Sequence, residues 1–445
     1  MTMLHKSEVM QVLDGMMGGF SVTEGELLLL EESLNLTRFA ESAIQQNISR
    51  YDRNMMVRAV NGKRVGVATT NQLDTEGILN AIKAAEEIAA IQKPDPNFPG
   101  LAKFETVEGD KDAYHGSTAD TSPGKRADVV EDCAKVASES KLQTAGAYQT
   151  NIETTAVGNN LGTRQYFTET IAWLTLTVSG EDNISGWAQS YSRNAKDIDA
   201  KKVAEKAVNK AILSADKAEL PPGEYTVILE PAAVADLVLF LAFLGFGAKT
   251  LVSRRSFMAN KIGEKIVGDN ITITEDPFHP RINYMPFDYE GVPRKKVPLI
   301  ENGVARGVVY NRYYANQLDA ESTGHALPPN NTYGPYPKSM VMGAGNSSVE
   351  EMISSTKRGI LITHWWYINF LNPMKTEVTG TCQDGTLLIE NGKIVSGVND
   401  KRMGQSILEA LSNVEMISAE RELCPKYGAL MLVPSLKVNN FKFIG

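Results

Sequence analysis

Metal-dependent hydrolysis is the first chemistry to test against this sequence. A helical zinc site places two histidines about one turn apart, beside a glutamate that activates water. The chain has five histidines, and the closest two, His325 and His364, are 39 residues apart. The sequence therefore contains no local motif of this kind. A site that folding assembles from His325, His364 and Cys424 stays open as an alternative.

The cysteines also limit the chemistry. Cys133, Cys382 and Cys424 are far apart in the chain and odd in number. This usage is typical of a reducing compartment and does not suggest a disulfide framework. A reactive thiol needs a nearby positive charge that lowers its pKa, and only Lys426, beside Cys424, offers one. We therefore predict that Cys382 and Cys424 are structural thiols.

Other short motifs carry little information. The chain contains neither a Gly-x-Ser-x-Gly nucleophile elbow nor a Walker A loop. The Gly-Ala-Gly at residues 343–345 precedes Ser348, a pattern that favours a loop and a helix cap over an anion site. The Trp-Trp-Tyr run at residues 365–367 favours a core strand over a platform for stacking a ligand.

The composition disfavours two classes of partner. The chain has 445 residues, with 45 Lys+Arg against 53 Asp+Glu and a formal charge of −8. Nucleic-acid binding needs a surplus of Lys and Arg for phosphate contacts, so we expect no direct contact with nucleic acid. The longest apolar run, residues 237–248, is well short of the ~20 residues that span a bilayer, so we predict a buried core helix there. With no apolar signal segment at the N-terminus, we expect no membrane partner and a cytoplasmic location.

A mixture of helices and strands must position these residues. Apolar periodicity and capping residues predict helices at residues 75–91, 122–140, 200–215, 231–247 and 405–413. Asn-Gly pairs that begin at Asn61, Asn302 and Asn391 predict tight hairpins, since a type I′ turn needs two residues with positive φ. Periodicity alone leaves residues 36–49 open between strand and helix. The Pro/Asn/Gly loop at residues 326–338 is long enough to form a lid or a groove wall.

The Leu-Pro-Pro-Gly segment at residues 220–223 predicts a domain boundary, because it cannot continue a helix and a strand pattern follows it. We predict an α+β protein. Residues 1–220 would form an N-terminal α/β domain with a small sheet and helices. Residues 221–445 would form a C-terminal, mainly antiparallel β domain.

Spaced matches along nearly the whole chain resemble the TldD/PmbA family. They include NGKRVG at residues 61–66, FDYEGVP at 287–293, STGHA at 322–326 and IENGKI at 389–394. The resemblance implies two domains of the predicted types and dimers that enclose a cavity. It also implies two branches. A TldD branch binds zinc through a helical His-Glu-x-x-x-His motif and a C-terminal Cys. A PmbA/TldE branch lacks the motif and serves as its partner in a protease of unfolded peptides.

The chain departs from the TldD pattern at the decisive helix. That helix should precede Ser256, and residues 235–245 there contain neither His nor Glu. Apolar side chains can neither ligate zinc nor activate water. Cys424 lies near the position of the TldD cysteine, but Pro425 follows it where that branch has glycine. The chain therefore resembles the PmbA/TldE branch, and we expect no catalytic and no metal-binding residues in it.

The expected function is that of a non-catalytic partner subunit in the proteolysis of unfolded peptides. Its partners would be a TldD-type subunit or a second copy in a homodimer, together with an extended peptide. Zinc is expected only in the TldD-type partner. Two alternatives stay open: a self-sufficient peptidase with a site built from His325, Cys382 or Cys424, and a protein-binding modulator of DNA gyrase. The residues predicted to line a peptide cavity are Thr323, Gly324, His325, Phe240 and Cys424.

Overall fold

The computed structural model describes residues 3–107 and 113–445. The helices in these residues are α1 (Lys6–Met16), α2 (Thr75–Ile91), α3 (Gly116–Ala119), α4 (Pro123–Glu139), α5 (Ala200–Leu213), α6 (Pro231–Gly245), α7 (Ala248–Val252), α8 (Arg312–Gln317), α9 (Val349–Ser354) and α10 (Ile407–Ser412). The strands are β1 (Glu24–Ala40), β2 (Ala43–Asn61), β3 (Arg64–Thr70), β4 (Gln143–Asn159), β5 (Arg164–Ser179), β6 (Ser185–Ser192), β7 (Gly223–Leu229), β8 (Ile273–Glu275), β9 (Val297–Glu301), β10 (Val304–Ala305), β11 (Ser339–Met342), β12 (Arg358–Asn372), β13 (Glu377–Glu390), β14 (Lys393–Gly397), β15 (Arg402–Ser406), β16 (Val414–Lys426) and β17 (Ala429–Phe443). This content confirms the α+β class.

The first six strands form one antiparallel sheet in the order β3-β2-β1-β4-β5-β6. Successive side chains of a strand point to opposite faces, so Leu27 and Leu29 pack in a core with α1 and α2, while Leu28 packs on the other face. Helices α4 and α5 cover the β4–β6 half of the same face as α1 and α2. The opposite face is therefore turned toward the second half of the chain.

The remaining strands form an eleven-stranded sheet in the path β10-β9-β8-β11-β17-β15-β13-β12-β7, with β14 on β13 and β16 on β17. Most pairs are antiparallel, and β7–β12 and β11–β17 are parallel. Because β7 also pairs with β17, five strands close into a ring. Helix α6 packs against strands of this ring, and of its fifteen residues only Phe243 is not buried. A helix whose residues are apolar on nearly all sides is a core helix, as predicted.

The hairpin predictions are confirmed, with one change of turn. Asn302 and Gly303 both have positive φ, as do Asn391 and Gly392, which is the type I′ pattern. In the β2–β3 hairpin, however, Asn61 pairs with Arg64, and Gly62 is the first central residue, with φ of +63°. The type I′ assignment is wrong there, because a turn with positive φ only at its first central residue is the type II′ form that glycine favours.

Buried charges join the first sheet to the second half of the chain. Arg58 of β2 donates to Glu26 of β1 at 2.6 Å and to Glu290 at 3.2 Å. Asp288, two residues before Glu290, accepts hydrogen bonds from the backbone N–H groups of Glu290, Val292 and Ala326 at 2.8–3.0 Å. We call Glu26, Arg58, Asp288 and Glu290 the interdomain network. In the described residues, no helix is both long and apolar enough to cross a bilayer.

Candidate functional site: an aromatic cavity beside helix α6

A cavity of about 780 Å³ opens where β12, α6 and the β16–β17 turn face the edge of the six-stranded sheet. Aromatic rings make up most of its wall, so we call it the aromatic cavity. Its aromatic residues are Trp173, Trp187, Phe240, Phe243, Tyr333, Trp365, Trp366, Tyr367, Phe370 and Tyr427. Large, rigid rings of this kind bind apolar side chains at little entropic cost.

The end of β12 leaves the core where its register shifts. Its pairing with β13 is interrupted between Ile362 and His364, and again between Trp365 and Tyr367. Trp365 is 4% exposed, whereas Trp366 is 69% exposed and Tyr367 is exposed as well. The prediction of a core strand is therefore wrong for Trp366 and Tyr367. Alternation along the strand turns Trp366 outward, and the irregular register keeps Tyr367 there too.

The same segment of β12 has an open edge. β7 pairs with β12 only at residues 359–362, whereas β13 pairs with β12 as far as Asn372. Among the strands that the structure describes, none pairs with the other edge of β12 from residue 363 onward. An open edge offers backbone donors and acceptors to which an extended peptide can add as a further strand.

Two loop tips complete the wall. Tyr333 belongs to the loop at residues 326–338, and its ring lies 6.2 Å from that of Phe243. The prediction that this loop forms a groove wall is confirmed. Tyr427 lies in the β16–β17 turn with φ of +48°, in the left-handed region that residues other than glycine and asparagine seldom adopt. Its side chain is largely exposed. Both tips therefore present a tyrosine to the cavity.

Helix α6 contributes Phe240 to the wall. Phe240 is 7% exposed, and its ring packs 4.6 Å from Phe370 and 6.2 Å from Phe243, measured between ring centroids. The predicted core packing of this helix is confirmed. Phe240 also borders the cavity, so the structure gives this one ring both a packing contact and an exposed edge.

An ion pair that sequence reasoning missed lies in the same wall. Lys426 Nζ is 2.9 Å from Asp236 Oδ1 and 3.0 Å from Oδ2, and both residues line the cavity. Burial raises the pKa of Asp236, and the ammonium of Lys426 opposes that shift. One signal could have found the pair. Asp236 is the single charged residue of an otherwise apolar helix, and a buried carboxylate needs a partner.

The two cysteines considered for chemistry are structural, as predicted. Cys424 is fully buried and is not among the side chains that line the aromatic cavity. Cys382 is also fully buried, and its Sγ lies 3.4 Å from the carbonyl oxygen of Lys401. Burial raises the pKa of both thiols, which disfavours the thiolate that a nucleophile or a metal ligand requires.

Thr323, Gly324 and His325 lie in another part of the molecule and do not line the aromatic cavity. His325 is fully buried. Its Nε2 lies 3.2 Å from Glu275 Oε1, and its Nδ1 lies 2.9 Å from Thr323 Oγ1. Burial lowers the pKa of His325. The structure thus groups these three residues with each other and not with Phe240, and a role for them in peptide binding stays a prediction.

The residues around α6 do not fit the zinc centre that the resemblance implies for the TldD branch. The carboxylate of Asp236 is already neutralised by Lys426, and burial keeps Cys424 protonated. His364 stacks on Trp187 instead, with 4.5 Å between ring centroids. Within residues 3–107 and 113–445, no three His, Cys, Asp or Glu side chains are arranged to hold a metal ion. A structural or catalytic zinc needs at least three such donors.

Family models cover most of the chain. The PmbA/TldA metallopeptidase domain 1 matches residues 25–89, the central domain matches 116–215, and the C-terminal domain matches 222–445. The first two models share one sheet in this structure, since β4 pairs with β1. The third contains α6, β12 and the β16–β17 turn, and therefore most of the aromatic cavity.

Individual relatives are distant but extend over the whole chain. A metalloprotease TldD homolog of Haemophilus influenzae is 23% identical over 94% of this chain and 90% of its own length. The crystal structure of TldE from Thermococcus kodakarensis superposes with a TM-score of 0.89 at 24% identity, covering 98% of this chain and 100% of that one. A Thermotoga maritima protein described as a proposed modulator of a DNA gyrase gives 0.83 at 19% identity, covering 95% and 96%. These structures share the fold of this chain. Because the C-terminal family model alone matches half of this chain, the chain belongs to the PmbA/TldD family.

Proposed function

We propose that this chain is a PmbA/TldE-like, non-catalytic subunit of a TldD-type zinc metallopeptidase, and that it holds an unfolded peptide in the aromatic cavity. The observation that carries the proposal is the surface of α6. Phe240 and Asp236, which pairs with Lys426 of β16, lie on the helix where the resemblance places the zinc motif of the TldD branch. A carboxylate already bound by an ammonium is a poor metal ligand, and a phenyl ring is none.

The peptide-holding role rests on two features that lie side by side. The open edge of β12 can bind the backbone of an extended chain whatever its sequence. The rings of Trp366, Tyr367 and Tyr427 beside that edge can bind apolar side chains. An unfolded peptide offers both a free backbone and exposed apolar side chains, whereas a folded protein offers neither.

The partner in this proposal is a TldD-type subunit that carries the zinc motif, or a second copy of this chain when no such subunit is present. A cavity that one chain leaves open on one side is closed by association, and two-fold dimers are the commonest closed assembly. Light scattering should therefore detect a dimer. A species of 48.6 kDa alone would contradict this part of the proposal.

Zinc content and peptidase activity test the catalytic part. After a chelator rinse, the purified chain should hold far less than one zinc per subunit and should not hydrolyse unfolded casein. Mixing it with a TldD-type subunit that carries His-Glu-x-x-x-His should produce hydrolysis. Replacing the glutamate of that motif by glutamine should abolish the activity, because the partner supplies the base.

Two results would contradict the proposal. Stoichiometric zinc that survives the chelator in the isolated chain would show a metal site that the donor set around α6 does not suggest. Hydrolysis of unfolded casein by the isolated chain would favour a self-sufficient peptidase instead.

A further inference from the structure

Four carboxylates form a row across the face of the six-stranded sheet that looks toward the second half of the chain. The strand register pairs Asp52 of β2 with Glu32 of β1, Glu32 with Glu153 of β4, and Glu153 with Glu169 of β5. Residues directly opposite each other on neighbouring strands point to the same face. Like charges placed in this way destabilise a sheet. A carboxylate in such a row costs stability unless a cation offsets its charge.

Three of the four carboxylates have a cationic partner within the chain. Arg50 pairs with Glu32 and lies 3.6 Å from Asp52, and Arg193 pairs with Glu169. Burial and the charge of Glu32 raise the pKa of Glu153, while a side-chain hydrogen bond from Asn151 and the charges of Lys338 and Arg193 oppose that shift. Lys338 itself donates to Tyr289 Oη at 3.1 Å. Glu153 thus lies in the middle of the row with no ion pair among the described residues.

An unsatisfied amide lies next to Glu153. Asn151 is two residues earlier on β4, points to the same face, and is 5% exposed. Its Nδ2 faces Glu32 at 3.5 Å, whereas its Oδ1 has no hydrogen-bond partner among the described residues. A buried acceptor without a donor costs free energy unless a ligand supplies the donor. Asn151 Oδ1 is thus an acceptor without a donor, beside a carboxylate without an ion pair.

Both residues line a cavity that shares part of its wall with the aromatic cavity. Glu153 lines a cavity of about 700 Å³ together with Glu32 and Asp52. It also lines a smaller one, of about 180 Å³, together with Asn151. The smaller cavity shares Trp173 and the Lys426–Tyr427 turn with the aromatic cavity. We call Asp52, Glu32, Glu153 and Asn151 the acidic crevice.

We propose that the acidic crevice binds a basic side chain, lysine or arginine, of the same peptide whose apolar residues occupy the aromatic cavity. The inference rests on the proposed function and adds a preferred substrate class to it. An ammonium or guanidinium supplies the donor that Asn151 Oδ1 lacks and the positive charge that Glu153 lacks, and it offsets the repulsion along the row. A bare metal ion fits less well, because cross-strand carboxylates are spaced about 5 Å apart, and no three of the described ones converge.

The test uses the full chain and two fluorescein-labelled peptides of alternating leucine and serine. One peptide carries lysine at a central serine position, and the other carries norleucine there, which has a similar length but no charge. Fluorescence anisotropy should give roughly tenfold tighter binding of the lysine peptide to the wild-type protein. In Glu153→Gln this preference should vanish while the norleucine peptide binds as before. Glu205→Gln, which changes an exposed glutamate of α5, is the matched control and should keep the preference.

Stability gives an independent readout. Without peptide, Glu153→Gln should raise the denaturant midpoint relative to wild type, because it removes the central charge of the row. A lower midpoint would show that the carboxylate stabilises the fold and would overturn the inference. Equal binding of the two peptides by wild type, or an unchanged preference in Glu153→Gln, would overturn it as well and leave the proposed function intact. If neither peptide binds to wild type, the proposed function fails and the inference fails with it.

Discussion

The interdomain network and the aromatic cavity treat their side chains in opposite ways. Arg58 and Asp288 in the network are buried, and each contacts acceptors or donors of its own chain, although Arg58 Nε and one oxygen each of Glu26 and Glu290 have no partner among the described residues. Around the aromatic cavity, Trp366 and Tyr427 are exposed, and one edge of β12 is open beside them. Buried charges that pair with each other hold two parts of the fold together, whereas exposed rings and an open strand edge are available to a ligand. We therefore propose ligand binding for the aromatic cavity and a stabilising role for the interdomain network.

The largest loss of stability should come from Arg58→Ala. It leaves the buried carboxylates of Glu26 and Glu290 without their shared partner, and breaking a buried ion pair in this way costs ~3–5 kcal/mol. Urea unfolding measures the loss. Lys135→Ala removes an exposed pair with Glu131 and should leave the free energy of unfolding almost unchanged, because solvent screens such a pair. Similar losses in the two variants would show that the network is no more than a surface pair.

Phe240→Ala should lower the free energy of unfolding slightly less than Arg58→Ala, by about 3 kcal/mol. This is the lower end of the range for a buried phenylalanine, because one side of the ring already borders the cavity. The conservative Phe240→Leu should lose about 1 kcal/mol. Denaturant melts of both variants decide this. A midpoint for Phe240→Ala that equals the wild-type value is incompatible with the packing against Phe370.

The network should also make stability depend on pH through Asp288. Burial and the charge of Glu290 raise the pKa of Asp288 from 3.8 to about 7. The folded state then holds a proton that the unfolded state releases, so this group's contribution to the free energy of unfolding falls as pH rises from about 4 through 7. In Asp288→Asn that fall should shrink, by roughly 1–3 kcal/mol between pH 5 and 8.

The slope with pH, and not the absolute stability, is the quantity to compare in that experiment. Asn at position 288 loses the acceptor of the Ala326 N–H and lowers stability at every pH. Parallel curves of unfolding free energy against pH for the two proteins would assign the dependence to other groups.

The smallest change in stability, and the largest in binding, should come from Trp366→Ala. Its ring is exposed, so the free energy of unfolding should stay within about 0.5 kcal/mol of wild type. Binding of the leucine–serine peptide should weaken roughly tenfold, since exposed aromatic anchors contribute most of such binding. Trp365→Ala is the matched control in the same strand. It should unfold far more easily, because Trp365 is buried and donates from Nε1 to the carbonyl of Ala233.

Local signals in the sequence predicted much of the secondary structure. Asp74 and Ser122 cap α2 and α4 by accepting from the N–H groups of Gly77 and Lys125. A cap involves atoms only three residues apart, so the residue types suffice. The ambiguous residues 36–49 became the β1–β2 hairpin instead. There β4 hydrogen-bonds to β1 and favours the strand, although its residues lie more than a hundred positions away in the sequence.

The candidate site was less predictable for the same reason. Sequence alone determined the family resemblance, the apolar nature of α6 and the absence of a local zinc motif, because each is a property of residue types in order. Only the tertiary structure decided that Trp366 leaves the core, that Lys426 meets Asp236, and that Asp52, Glu32, Glu153 and Glu169 form a row. These contacts depend on the register of strands distant in sequence, and a shift of one residue would turn each side chain to the other face.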